Sequence, residues 1–317
     1  MAATPPKPNQ MQELKQTLEA RWTELHNTEG IFRYQLTVER ERITEGRFGF
    51  LLQLNRKRTT ARRKPDFMAN IAPAFDPDLF NFNKIKPVEI LCETRVGDAD
   101  VSFLINDSPL TRYHILVVPD RSRNLKQVLT EDSVVVAVSL MFGFQDRRYR
   151  LGFNSPGALA SVNHLHLHLM FVDHELYVED APLVPLSVEK LYRLDWDHPA
   201  KAFVIVSQDF TSPQTFANQI YKLIGVFLAH NIAHNLFLTW NRPETVLRAL
   251  VYPRLRPCVY KQASPFNVAF CELSGFVPLG NESDFEQLDE RLLGEHFLEA
   301  QGEDLYGQLE QMLMDEL

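Results

Sequence analysis

The chain has 317 residues, of which 45% are hydrophobic and 23% charged, with a formal net charge of −8. This composition is typical of a globular protein with one large domain or two medium-sized ones. The acidic balance argues against generic nucleic-acid binding, which uses basic surfaces, and no apolar run is long enough for a membrane span.

Residues 1–10 are proline-rich and polar, without the apolar core of a secretory signal. Three scattered cysteines, Cys92, Cys258 and Cys271, do not suggest a disulfide framework or a zinc knuckle, which favours a cytoplasmic protein. A helix is predicted over residues 11–26, because apolar residues recur there at helical spacing: Leu14, Leu18, Trp22 and Leu25.

A predicted strand over residues 48–55 runs into the basic segment 56–65, which contains Arg58. This segment is either a solvated loop or a source of positive charge for phosphate oxygens. Residues 80–85 then alternate aromatic and amide side chains and include Asn81, Asn83 and Lys84. Such a segment suits nucleotide contact, but a plain edge strand has the same pattern.

Strands are predicted at residues 101–106, 114–119 and 148–154, with a helix over residues 132–144 between the second and the third. A further strand follows after a turn. This order predicts an α+β fold, an antiparallel sheet with a helix on one side.

That further strand, residues 161–172, carries the densest titratable chemistry of the chain. His164, His166 and His168 alternate with leucines, so on a strand they line one face while the leucines line the other. Imidazoles titrate near neutral pH and serve nucleophilic, acid–base or metal-binding chemistry. Three on one face favour a functional site over a set of buried structural histidines.

A similar order of elements returns after residue 181, without a histidine cluster. We expect a tail and helix at residues 1–30, a first half at 31–180 and a degenerate second half at 181–280, whose strands include 266–273. Residues 281–317 are acidic and helix-forming, with a docking face made of Leu288, Leu292 and Leu293.

The segment His164 to Met170 resembles the histidine-triad motif, and residues 106–119 look like the strand pair that precedes it in that superfamily. Within the superfamily the chain resembles the GDP-D-glucose phosphorylases of animals, relatives of the plant GDP-L-galactose phosphorylases, over roughly residues 30 to 280. The supporting segments are residues 52–55 with Arg58, 80–85, 152–155, 157–168, 233–239 and 266–273.

The resemblance implies two tandem histidine-triad-like halves and a nucleotidyltransferase. His166 would attack the α-phosphate of GDP-glucose and release glucose 1-phosphate, and inorganic phosphate would then convert the guanylyl-histidine to GDP. His164 and His168 would assist as catalytic residues. No cofactor or metal is expected, and a homodimer is possible. The expected nucleotide contacts are Arg58, Asn81, Asn83, Lys84, Asn154, Ser161 and Asn163.

Three alternatives stay open at this point. A third histidine in the triad is typical of the hydrolytic branch, so the enzyme could be a nucleotide hydrolase that acts on dinucleoside polyphosphates or cap-like substrates through the same His166. A His-x-His-x-His face could instead hold zinc or iron in a metal-binding β protein, with Asp173 or His174 as a further ligand. Finally, the basic segment and the acidic tail could belong to a non-catalytic scaffold.

Overall fold

The computed structural model describes residues 8–57, 66, 68, 70–195, 197–255, 257, 267–302 and 306–317. Within these residues the strands of the main sheet are connected by turns and loops and, once in each half, by a long helix. In chain order they are β3 (Ile90–Val96), β4 (Ala99–Ile105), β5 (Ile115–Pro119), β6 (Tyr149–Asn154), β7 (Leu167–Phe171), β8 (Leu183–Pro185), β9 (Tyr192–Leu194), β10 (Phe203–Val206), β11 (Ala233–Trp240) and β12 (Leu247–Arg254). A small second sheet contains β1 (Arg40–Ile43), β2 (Leu51–Leu54) and β13 (Phe276–Leu279).

The main sheet consists of two copies of one strand arrangement. Among the described residues its order is β3-β4-β5-β7-β6-β11-β12-β10-β9-β8, and its neighbours pair antiparallel. Each half contributes three strands, a helix and two more strands, and the halves meet where β6 pairs with β11. The prediction of two tandem similar halves in an α+β fold is confirmed.

The helices of the described residues lie on both sides of this sheet. They are α1 (Pro8–His26), α2 (Glu131–Phe144), α3 (Pro213–Ala229), α4 (Phe270–Leu273), α5 (Glu282–Gln287), α6 (Glu290–Gln301) and α7 (Tyr306–Glu316). Helices α1, α2 and α3 share one core with a single face of the sheet. Leu165, Leu167 and Leu169 are fully buried in that core, as the alternating pattern predicted.

The opposite face of the sheet is only partly covered by other elements, and the uncovered part forms the site. The small sheet and helices α4, α5 and α6 form a second core with Met170, Phe237 and Leu250, so most of this face is filled. Strand β13 pairs with β2 in parallel and thereby joins the end of the second half to the start of the first. We propose boundaries at residues 31–180 and 181–280 for the two halves, with residues 1–30 and 281–317 as flanking segments.

Most predicted elements are confirmed, including the helices at the N-terminus and at residues 132–144 and the docking face of the acidic segment, where Leu288 and Leu293 are buried. The strand predicted at residues 266–273 is wrong. Residues 270–273 form α4, because the Ala269 N–H is capped by Glu272 Oε2 at 2.9 Å and the Leu273 N–H donates to the Ala269 carbonyl. The histidine strand β7 begins only at Leu167. No helix among the described residues combines the length and the apolar composition needed to cross a bilayer.

Three buried histidines predict a loss of stability at mildly acidic pH. Burial lowers the pKa of His164, His198 and His234 from 6.5 to about 4. The unfolded chain therefore binds these protons first, so the stabilisation is complete above pH 6.5 and is lost as the pH falls towards 4. Each histidine contributes on the order of 3 kcal/mol across this window.

Urea unfolding at several pH values measures this effect. We expect His234→Phe to reduce the slope of the unfolding free energy between pH 6.5 and 4 by about one proton, or roughly 1.4 kcal/mol per pH unit. An unaltered slope in the His234 variant would contradict the assignment.

Candidate active site

A cleft lies on the first half of the sheet, where the covering elements stop. It opens to solvent and is lined by both His166 and His168. Helix α4 closes one side, since the Phe270 ring centroid lies 5.5 Å from that of His168. Gly152 stands opposite His168 in the strand register, and a Cβ atom at Gly152 would overlap the Phe270 ring. A glycine at this position therefore lets α4 approach the sheet beside the histidines.

His166 is held in the tautomer that a nucleophile requires. Its ring is 3% exposed, and Nδ1 lies 2.7 Å from the carbonyl oxygen of His164. A carbonyl only accepts hydrogen bonds, so Nδ1 carries the proton and the lone pair of the neutral ring is on Nε2. The Phe82 ring lies against the imidazole at a centroid distance of 5.0 Å. The arrangement presents Nε2 as the nucleophilic nitrogen.

The main chain of His166 is fixed by the fully buried side chain of Gln127. Gln127 Oε1 accepts from the His166 N–H at 2.9 Å, and Nε2 donates to the carbonyl oxygens of His166 and Asn154, both at 3.1 Å. One amide thus satisfies three buried backbone groups on two neighbouring segments. These hydrogen bonds, which we call the Gln127 clamp, fix the position of His166 relative to the sheet.

His168 is oriented by a relay that begins at the backbone. The Leu110 N–H donates to Nδ1 of His114 at 3.1 Å, so His114 carries its proton on Nε2, which lies 3.0 Å from Nδ1 of His168. His168 Nδ1 therefore accepts, and the ring proton of His168 is on Nε2. The Asn106 amide nitrogen also lies 3.1 Å from His114 Nε2, but two donors do not bond. His168 can thus donate to an anionic ligand in the cleft.

The ring of His164 has a structural role. Its Nδ1 accepts from the Phe82 N–H and its Nε2 donates to the Arg121 carbonyl, both at 3.1 Å, so both ring nitrogens are committed to backbone groups. Burial lowers its pKa to about 4, which keeps the ring neutral. The His164 contribution to the nucleophile comes from its own carbonyl oxygen, which orients His166.

Asn154 and Ser161, two of the expected nucleotide contacts, line the cleft. The Oδ1 atom of Asn154 accepts from the Asn235 side chain at 2.6 Å and from the Phe270 N–H at 3.2 Å. The Nδ2 group of Asn154 is therefore the part that can meet a ligand, while Oδ1 anchors α4.

Four predicted contacts lie elsewhere. Asn81 caps a short 3-10 helix through Oδ1, Asn83 donates to the Arg121 carbonyl at 3.2 Å, and Lys84 Nζ donates to the carbonyls of residues 78 and 79. Asn163 accepts from the Gln127 N–H and donates to the carbonyls of residues 73 and 74. None of the four lines the histidine cleft, because these side chains bind backbone groups. Arg58 lies outside the described residues.

Three residues of the site were not predicted from the sequence. His114 begins a strand that was predicted to precede the motif. The pairing of that strand with the histidine strand was the signal that could have identified His114. Gln127 lies in a loop and carries no pattern. Glu89, at the far end of the cleft, also gave no signal. Within the described part of the chain, no three His, Cys, Asp or Glu side chains group closely enough to share a metal ion.

The fold occurs in solved structures of a nucleotide phosphorylase. Yeast Ap4A phosphorylase superposes with a TM-score of 0.66 at 18% identity, over 92% of this chain and 94% of that one. Its complex with Ap4A gives a TM-score of 0.67 at 16% identity. This likeness shows that the chain has the fold of that phosphorylase.

Family comparisons are more specific. A model described as the GDPGP1-like N-terminal domain matches residues 13–170, and its C-terminal counterpart matches residues 189–306. GDP-D-glucose phosphorylase 1 of Danio rerio is 40% identical over 86% of this chain and 82% of its own length, and that of Homo sapiens is 35% identical over 82% and 72%. GDP-L-galactose phosphorylase 1 of Arabidopsis thaliana is 26% identical over 84% and 66%. The chain belongs to the GDP-D-glucose phosphorylase family.

Proposed function

We propose that this chain catalyses the phosphorolysis of GDP-D-glucose to GDP and glucose 1-phosphate. The observation that carries the proposal is the pair of fixed tautomers, with a lone pair on His166 Nε2 and a proton on His168 Nε2, in one cleft. This pair suits transfer of a nucleotidyl group: one nitrogen attacks phosphorus while the other donates to an oxygen.

In the first step, His166 Nε2 attacks the α-phosphorus and the bond from that phosphorus to the bridging oxygen breaks. Glucose 1-phosphate leaves with the bridging electron pair. The product on the enzyme is a guanylyl-histidine. In this intermediate the Nδ1 proton stays hydrogen-bonded to the His164 carbonyl oxygen, and this hydrogen bond stabilises the positive charge of the ring. His168 donates to the phosphoryl oxygens as their charge develops.

In the second step, an oxygen of inorganic phosphate attacks the same phosphorus and the N–P bond breaks. GDP forms and His166 regains its neutral tautomer. The proposal includes phosphate as the co-substrate and the cytoplasm as the compartment; the thiol of Cys92 suits a reducing environment. A homodimer is also proposed, for which the edge strands β3 and β8 offer pairing surfaces.

Product analysis tests this function. The protein is incubated with GDP-glucose with and without inorganic phosphate, and the nucleotides are separated by chromatography. We expect GDP and glucose 1-phosphate only when phosphate is present. Formation of GMP regardless of phosphate would mean that water takes the guanylyl group, and the enzyme would be a histidine-triad hydrolase.

A further inference from the structure

The cleft has an apolar floor that extends from the histidines towards the edge strand β3. In the strand register Ile90, Leu104, Leu116 and His168 follow one another across β3, β4, β5 and β7. Residues paired in this way point to the same face of a sheet. Three aliphatic side chains therefore extend from His168 towards the edge strand, over a distance of about 14 Å at the usual strand spacing.

Aromatic and aliphatic walls turn this floor into a slot. Phe82 and Val162 form a buried cluster with Leu104 and Leu116, against which Phe80 and Ile85 pack. The slot begins at the nucleophile, since Phe82 contacts His166. A planar base gains from burial between apolar side chains, whereas a hexose carries hydroxyl groups around its ring and gains little. The slot therefore suits a planar base better than a hexose.

Glu89 stands at the outer end of the slot. It lines the cleft, is half-buried, and its Oε1 accepts from the Lys86 N–H at 3.1 Å, which orients the carboxylate. Among the described residues, no Lys, Arg or His side chain forms an ion pair with it. Asp107 also lines the cleft, but its oxygens bind Arg33 at 2.5 Å and Ser108 at 3.0 Å.

We propose that Glu89 selects guanine, an inference that rests on the proposed function. Guanine presents two adjacent donors, N1–H and the exocyclic amino group, and a carboxylate accepts from both. Hypoxanthine lacks the amino group. Adenine presents an acceptor at N1, which the carboxylate repels. Glu89 is thus the specificity-determining residue for the base.

Kinetics with four substrates test this assignment. The ratio of kcat/KM for GDP-glucose over IDP-glucose should fall by about 10- to 100-fold in Glu89→Gln, the range expected for one charged hydrogen bond. The penalty against ADP-glucose should shrink as well, while the ratio of GDP-glucose to GDP-mannose should stay as in the wild type. An unchanged ratio of GDP-glucose to IDP-glucose would overturn the proposal.

Two comparisons keep the outcome unambiguous. Asp107→Asn, which alters the other acidic residue in this part of the cleft, should leave the base preference unchanged, and a shift there but not in Glu89→Gln would overturn the assignment. Equilibrium binding of GDP, IDP and ADP measures the same preference without turnover. Absence of phosphorolysis by the wild type would therefore reject the proposed function, while the binding ratios would still decide the role of Glu89.

Discussion

Replacing His166 with asparagine is expected to lower kcat by about 10⁴-fold or more, the scale seen when a covalent nucleophile is removed. The amide keeps some of the polarity of the ring but has no nucleophilic lone pair on nitrogen. The side chain is nearly buried and makes its ring hydrogen bond to a local carbonyl, so we expect the fold to survive the change. Initial rates with GDP-glucose and phosphate measure the loss.

Covalent labelling sharpens this prediction. Wild-type protein mixed with GDP-glucose in the absence of phosphate should gain one guanylyl group, detected by intact-protein mass spectrometry, and phosphate should remove it. The His166 variant should gain none. His174→Asn is the matched control, because His174 is an exposed histidine six residues beyond the motif, paired with Glu41 at 3.2 Å, and should behave as wild type. A His166 variant with normal turnover would contradict the mechanism.

The local pattern of the histidine segment predicted more than any other part of the chain. Alternation of period two placed the leucines in one core and His166 and His168 in the cleft, because the side chains of extended backbone must alternate. The order of strands and helices likewise predicted a doubled antiparallel sheet. These features follow from the period and order of residues, which the sequence displays directly.

Residues 80–85 show where local pattern misleads. Their alternation suggested amide and lysine contacts to a nucleotide, but the segment enters a 3-10 helix at Phe82 with Asn81 as its N-cap. Asparagine favours such caps because its side chain accepts a backbone N–H. The amides consequently bind backbone, and the aromatic side chains of Phe80 and Phe82 line the cleft. Helix α4 was missed for a similar reason, since its capping contacts rather than its composition decide its conformation.

Gln127 could not be found from sequence, because its role depends on contacts with residues 27 and 39 positions away. Replacing it with leucine leaves the buried His166 N–H and the carbonyls of His166 and Asn154 without this partner. We expect a loss of about 2–4 kcal/mol in the free energy of unfolding, from the desolvation of these groups. We further expect kcat to fall by about 10²-fold with a smaller change in KM, because a displaced nucleophile weakens the transition state more than substrate binding.

The C-terminal flanking segment supplies a control of the same chemistry. Gln301 is also fully buried, and it too accepts from a backbone N–H, that of Lys201 at 2.8 Å, and donates to backbone carbonyls, those of Lys201 and Pro253. Gln301→Leu should lower stability by a similar amount while the folded fraction keeps the wild-type kcat, because this clamp holds no cleft residue. Equal effects of the two variants on kcat, after correction for the folded fraction, would mean that Gln127 stabilises the fold without positioning His166. A selective loss of kcat in Gln127→Leu, together with slower guanylylation in a single turnover, would identify Gln127 as the positioning residue of the nucleophile.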